Sequence, residues 1–201
     1  MNPEFWNEVF GAEDYVYGTA PNVFLTSWKQ LLEAGQRALA VADGEGRNGV
    51  WLAEQGLDVL SVDMSDVGLK KAQALARERG VTIRTECANL KDWAWPEAEF
   101  DVIVSIFAHF PPDIRHEIHR KMVAALRPGG CIILQAYTPR QVEYGTGGPP
   151  SAELMYSLEI MLEDFGDLDI LHLREHDAEI EEGVKHRGMS ALVELVACTE
   201  E

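Results

Sequence analysis

The sequence predicts an α/β fold: a doubly wound sheet, mostly parallel, with helices packed on both faces. Three observations predict it. Between residues 38 and 136, short apolar runs alternate with amphipathic stretches of helical period, the rhythm of consecutive βαβ units. The first apolar run ends in a glycine-rich turn, with Gly44, Gly46 and Gly49 spaced as G-x-G-x-x-G, and a carboxylate, Asp63, follows one βα unit later. Beyond residue 136 the rhythm breaks into a helical stretch and two strand-like runs with a polar link, which fits a hairpin on the sheet edge.

The elements read in order as follows. "ALAVA" at 38–42 is a buried strand, and "RNGVWLAEQG" a helix that Gly56 can stop. "DVLSVD" at 58–63 is the second strand. Ser65 can cap the helix that follows, whose Leu69, Ala72, Leu75 and Ala76 share one face. "VTIRTE" at 81–86 and "FDVIVSIF" at 100–107 are the third and fourth strands. Pro112 opens a helix with Ile114, Ile118, Met122 and Leu126 on one side, and "GCIILQAY" at 130–137 is the fifth strand. A helix is expected over 151–166, then strands over 168–180 and 189–199. The aromatic segment "FWNEVFGAEDYVYGTAPNVFL" stands outside this alternation.

The length of 201 residues and 46% hydrophobic content fit one domain with a substantial core. Within it, 1–30 is expected to be an N-terminal lid segment, 38–136 the cofactor-binding core, and 137–201 the acceptor-side loop, helix and hairpin. A net charge of −17 argues against nucleic acid as a partner, since a phosphate backbone needs a basic face, and against anionic membrane surfaces. No apolar run approaches the roughly 20 residues that span a bilayer. The start "MNPEFWNEVF" lacks the basic and apolar regions of a secretion signal. Cys87, Cys131 and Cys198 are widely separated; Cys131 and Cys198 sit in apolar runs and are expected to be buried thiols. A cytoplasmic setting is the resulting expectation.

In a doubly wound sheet, ligands bind beyond the carboxyl ends of the strands at the switch in strand order, so the glycine turn is the place for one. Glycines let the backbone approach a ligand, and Asp63 can accept from ribose hydroxyls. A nicotinamide dinucleotide and another adenosyl cofactor both satisfy these residues. The absence of room for a separate substrate domain, the terminal hairpin, and Asn89 and Leu90 placed where an adenine could lie count against the dinucleotide.

The stretches "YGTAPNVFL", "DGEGRNGVWLAEQG", "VDMS", "FDVIVSIFAHFPP", "LRPGG" and "LQAYTPRQ" with "YGTGGPP" occur in that order. In them the chain resembles the class I S-adenosylmethionine-dependent methyltransferases, and more narrowly the tellurite-resistance-type and thiopurine-type group. The resemblance spans nearly the full length. It implies a Rossmann-like sheet of seven strands with an antiparallel strand in the C-terminal hairpin, S-adenosyl-L-methionine as cofactor, and a small-molecule methyl acceptor such as a metalloid, thiol or thiopurine-like compound. Carried onto this sequence, it implies cofactor contacts from Tyr17, Asp43, Gly44, Gly46, Asn48, Asp63, Met64, Asn89, Leu90, Ile106 and Phe107. The chain departs from the family pattern at Ala40, where an acidic residue is common, at Ala42, where glycine is common, and at Asp43 and Asn89.

Methyl transfer needs alignment and a dry site, not an enzyme nucleophile. Aromatic faces suit a sulfonium, and Trp6, Tyr15, Tyr17 and Phe107 are candidates. His109, just past the fourth strand, is the candidate catalytic base; the alternative is a histidine that lines the pocket. Arg140 and Tyr144 could line the acceptor side beside a mobile "YGTGGPP" loop. Gly44 and Gly46 are expected to put backbone against the cofactor. His116 and His119 do not form a metal motif, and no metal is expected. The reading from another class is a non-catalytic S-adenosylmethionine- or S-adenosylhomocysteine-binding protein acting as sensor or partner.

Overall fold

The computed structural model describes residues 2–201. Seven strands form one sheet in the order β3-β2-β1-β4-β5-β7-β6. The first five are β1 (Arg37–Val41), β2 (Asp58–Asp63), β3 (Arg84–Cys87), β4 (Phe100–Ile106) and β5 (Leu126–Tyr137). All their pairings are parallel. β6 (Asp169–Glu182) and β7 (His186–Cys198) make the expected hairpin, and β7 runs antiparallel to both β5 and β6. β1 is flanked by β2 on one side and β4 on the other, so the strand order reverses there. The crevice beyond the ends of β1 and β4 is therefore where this topology opens a ligand site.

The helices cover both faces. On one face, Phe24 and Leu25 of α2 (Val23–Ser27), Val50 and Leu52 of α3 (Arg47–Glu54) and Leu75 of α4 (Asp66–Glu78) pack on Ala38, Val59 and Val104. On the other, Ile118 and Met122 of α5 (Pro112–Ala125) and Met161 and Phe165 of α7 (Leu158–Phe165) pack on Leu39, Ile103 and Ile132. Ser65 caps α4 as expected, accepting from Gly68 N at 3.0 Å. Two further helices are α1 (Pro3–Phe10) at the start and the four-residue α6 (Gln141–Tyr144) after β5.

Several local expectations are corrected. The third strand starts three residues late, because Val81 N–H donates to the Ala76 carbonyl at 2.9 Å and so closes the end of α4. The helix expected over 151–166 is split into a 3₁₀ turn at Ala152–Leu154 and α7. Tyr156 causes the break. Its N–H donates to the Tyr137 carbonyl at 3.0 Å and its hydroxyl to the Ala108 carbonyl at 3.0 Å, which pulls the ring into the core. Cys131 and Cys198 are not buried thiols. They lie opposite each other across β5 and β7 and form a half-buried disulfide, a pairing that the antiparallel register creates over 67 residues of sequence. Among the described residues, no helix is long and apolar enough to cross a membrane.

Candidate active site

The chain leaves β1 through Ala42 in the left-handed region, at φ 50°. That conformation favours glycine, and it is where the sequence departs from the family's pattern. Gly44 and Gly46 continue the turn at φ 56° and 86°, and Gly46 starts α3. The Asp63 carboxylate at the end of β2 closes the turn from the side. It accepts from Gly44 N at 2.9 Å and from Ser65 N at 2.8 Å. Burial raises its pKa, against the lowering effect of these backbone donors.

An acidic residue, Asp43, lies three residues after Ala40. Asp43 turns its carboxylate back under the turn, accepting from Ser61 Oγ at 2.8 Å and from Gly49 N at 3.2 Å. A Cβ on Gly49 would lie 2.3 Å from Asp43 Oδ2 and 3.5 Å from Ala40 Cβ, so the small residues at 40 and 49 leave this carboxylate its room. Burial pushes the Asp43 pKa up to about 7, against the lowering pull of Ser61 and Gly49.

A cavity of about 410 Å³ runs from this turn across the ends of β1 and β4, within the range of small-molecule sites. Tyr17, Asp43, Gly44, Asn48, Asp63, Met64, Leu90, Ile106, Phe107 and His109 all line it. Two of the expected residues do not. Gly46 faces away: a Cβ there would lie 2.4 Å from Ala72 Cβ on α4, so its glycine serves helix packing. Asn89 is not among the lining residues, and its Oδ1 accepts from Lys91 N at 3.2 Å, which forms a turn beside the cavity.

His109 reaches the cavity with both ring nitrogens engaged. Nδ1 lies 3.0 Å from the Leu154 carbonyl, and Nε2 accepts from Tyr137 N at 3.3 Å. That pair of partners fixes the neutral tautomer with the proton on Nδ1. Burial pushes the pKa down to about 4. In this arrangement the ring ties β5 to the 3₁₀ turn, the pocket-lining alternative raised above, and has no free nitrogen for an acceptor's proton.

Arg140 and Tyr144 lie elsewhere. Both bond the Asp177 carboxylate, at 2.7 and 2.9 Å, on an exposed face outside the cavity. Tyr15 also turns away, donating to the Lys71 carbonyl at 3.0 Å. The "YGTGGPP" loop does line the cavity, at Gly147 to Pro150, but it is pinned. Buried Gln141 donates to Thr146 Oγ1 at 3.0 Å and to the Gly147 carbonyl at 3.2 Å, and accepts from Ala191 N at 2.9 Å.

Sequence reasoning missed three features. Glu45, inside the glycine turn, is buried and accepts from Val16 N at 2.8 Å and from Lys71 Nζ at 2.8 Å, which anchors the N-terminal segment. An acidic residue between two turn glycines was the available signal. Phe10, at the end of α1, lays its ring on Gly44, where a Cβ would lie 2.8 Å from Cζ. Trp6 stacks on Phe10 at 5.5 Å, so α1 roofs the glycine-turn end of the cavity. The third is His186, which the β6–β7 hairpin inserts between Tyr17 and Phe107 with ring centroids 4.5 Å from each. Its contacts join chain segments so distant that local pattern carries no trace of them.

Comparison with known proteins agrees with this geometry. Residues 38–130 match the family model described as a methyltransferase domain. The chain is 27% identical to the thiopurine S-methyltransferase of Nitrosospira multiformis, over 98% of this chain and 96% of that one. It is 33% identical to an uncharacterized protein of Mycobacterium tuberculosis over 105 residues, and spans only 38% of the length of that relative. The structure of TehB from Haemophilus influenzae superposes with a TM-score of 0.75 at 17% identity, over 98% of this chain and 67% of that one, a likeness of fold. Residues 38–130 thus match a methyltransferase domain, and in its seven-strand order and in sequence the chain is similar to the S-adenosylmethionine-dependent methyltransferases, whose cofactor is S-adenosyl-L-methionine.

Proposed function

We propose that this protein transfers a methyl group from S-adenosyl-L-methionine to a small-molecule acceptor, of the metalloid, thiol or thiopurine-like kind. One observation carries the reading: a single cavity joins the Asp63-closed glycine turn to an aromatic chamber formed by Tyr17, Phe107, Tyr137 and His186. The residues fit the cofactor. The Asp63 carboxylate is buried at the cavity wall and each oxygen keeps a lone pair beyond its backbone donor, which suits two ribose hydroxyls. Ala88, Leu90 and Ile106 offer an apolar slot for the adenine, and Met64 borders it.

When bound, the cofactor supplies an activated methyl group on a sulfonium. The protein's part is alignment and exclusion of water. Asp63 and the turn fix the nucleoside end. Tyr17 and Phe107 present ring faces at the far end, which a cation favours. Phe107 holds φ 54°, with its N–H donating to the Gln135 carbonyl at 2.7 Å, so that its ring stacks on Tyr137 at 4.6 Å. Strain of this sort is kept where the surroundings over-determine it, as around ligand sites. The N-terminal segment acts as the lid. It is tied down by polar contacts of Val16 to Glu45, of Asn22 to Asn48, Gln135 and Glu182, and of the Ala12 and Asp14 carbonyls to Lys71, and by the Phe10 ring.

A non-catalytic binding protein is the second reading, and the observation that favours it is that the candidate base, His109, has both ring nitrogens engaged. Incubation with methyl-labelled cofactor and a panel of selenite, tellurite, thiophenol and 6-mercaptopurine separates the two. Methylated product from at least one acceptor supports the enzyme. Cofactor binding with no product from any of them supports the binding protein.

A further inference from the structure

The acceptor end of the cavity contains polar atoms that the fold leaves unused. His186 is 7% exposed, and its Nδ1 has no hydrogen-bond partner among the described residues. Tyr137 is fully buried beside it, at 5.4 Å between ring centroids, and its hydroxyl also lacks a partner. The nearby Ser190 hydroxyl is turned to the Gly188 carbonyl at 3.1 Å instead. Buried polar groups are almost always paired, and exceptions that face a cavity point to a ligand. Both residues line this cavity.

The charges around the chamber restrict what that ligand is. Arg47 is paired at 2.5 Å with Glu182, both buried, so neither sign is free there. Asp43 and Asp63 are committed to the cofactor turn. Lys185 stands exposed at the rim. The walls are ring faces and the Gly147–Pro150 loop. With the Tyr17 and Phe107 faces taken up by the cofactor's sulfur end, the acceptor meets Tyr137, His186 and the loop. A buried charge without a partner is strongly disfavoured there, whereas a flat apolar body with one hydrogen-bonding group is matched.

We propose that His186 is the residue that orients the methyl acceptor, and that of the acceptor kinds named above it is the thiol or thiopurine-like kind, not a metalloid oxyanion: an uncharged, planar compound whose single N–H, O–H or S–H group bonds to His186 Nδ1 beside the Tyr137 hydroxyl. The proposal rests on the methyl-transfer reading above and deepens it. His186 is a positioning residue. It stays neutral because burial, and then the Arg47 charge, push its pKa down to about 3, so it can donate or accept.

The test uses phenol and indole as neutral probes, and benzoate and benzylammonium as charged ones, titrated by NMR into the full chain loaded with S-adenosylhomocysteine. His186→Asn places an amide where Nδ1 lies. His186→Gln places it at the Nε2 position, and His186→Phe keeps only the ring. The expected result is that the neutral probes bind at least about tenfold more tightly than the charged ones, and that Asn keeps this affinity while Gln and Phe lose about tenfold or more. Affinity for S-adenosylhomocysteine should stay within about twofold throughout, which a folding defect would not allow. Equal probe binding by the Gln and Phe variants overturns the proposal. So does charged-probe binding that matches the neutral probes, or no neutral-probe binding to the loaded parent. A parent that binds no S-adenosylhomocysteine overturns the methyl-transfer reading itself, an outcome distinct from the other three.

Discussion

Arg47, in the first turn of α3, meets Glu182, the last residue of β6, at 2.5 Å, with both side chains buried. The other Glu182 oxygen accepts from Asn22 Nδ2 at 2.8 Å, and Asn22 N–H donates to Asn48 Oδ1 at 3.0 Å. One carboxylate thus locks together the cofactor turn's helix, the terminal hairpin and the N-terminal segment. Removing one partner of a buried ion pair leaves the other charge uncompensated, at a cost of about 3–5 kcal/mol. Glu182→Ala should therefore lower unfolding free energy by about that amount in urea denaturation. A loss within the ±0.5 kcal/mol typical of surface changes would show that the network carries no load.

Gly44 and Gly46 should respond differently to alanine. At Gly46 the new Cβ would strike Ala72 backbone and side chain at 2.4–2.7 Å, at φ 86°, so the fold itself should lose roughly 2–4 kcal/mol. At Gly44 the Cβ meets only the end of the Phe10 ring at 2.8 Å, so Phe10 should be displaced and amide exchange in α1 should speed up. Thermal melts and exchange rates of the two variants check this. Equal melting temperatures would refute the assignment of Gly46 to helix packing.

Stability should fall as pH rises from about 4 to about 7. The Asp43 pKa is raised in the fold to about 7 from an ordinary 3.8, so the folded state holds a proton that the unfolded state has released in that window. The favourable contribution is complete below about 4 and lost above about 7, and Asp63, also raised by burial, adds in the same sense. Asp43→Asn keeps an acceptor for Gly49 N and removes the titration. It should flatten the decline and stabilise the protein at pH 8 by about 1–3 kcal/mol. An unchanged pH slope in the variant would show that Asp43 stays ionised.

The N-terminal segment should tighten when ligand binds. Val16, Asn22 and Phe10 tie it to the glycine turn and its helix, the Ala12 and Asp14 carbonyls accept from Lys71, and Val184 N–H ties the hairpin tip to the Val16 carbonyl at 3.0 Å. Hydrogen exchange over residues 3–18 and 182–186 should slow on addition of S-adenosylhomocysteine, because a lid gains contacts on closure. Identical rates with and without ligand would mean that the segment is packing alone.

The alternating core was legible because both of its periods are local: apolar strands, helical faces, and the Ser65 cap each occupy one short stretch. The meeting of the glycine turn and Asp63 at the cavity was legible because one βα unit connects them. The acceptor end was not. His186, Tyr137 and Phe107 meet only after a hairpin of two long strands folds across the sheet, and sequence carries no signal for that register. The same cause hid the Cys131–Cys198 pairing. Gly46 lies outside the cavity lining and packs against Ala72, which the sequence could not show, because a glycine required by an adjacent helix and one required by a ligand have the same spelling. His109 was correctly placed at the cavity, but the partners of its two nitrogens come from Leu154 and Tyr137, which the sequence leaves far away.

The central claim is that the Asp63-closed turn and the cavity beyond it hold the adenosyl group of S-adenosylmethionine. Calorimetric titration of S-adenosylhomocysteine into the parent protein and Asp63→Ala, with NAD as the control ligand, tests it most directly. One charge-assisted hydrogen bond contributes about 1.5–3 kcal/mol and each 1.4 kcal/mol is about tenfold. The account predicts saturable one-site binding to the parent, at least about tenfold weaker binding to folded Asp63→Ala, and no heat from NAD. Binding of NAD without response to S-adenosylhomocysteine, or undiminished affinity in folded Asp63→Ala, would contradict it.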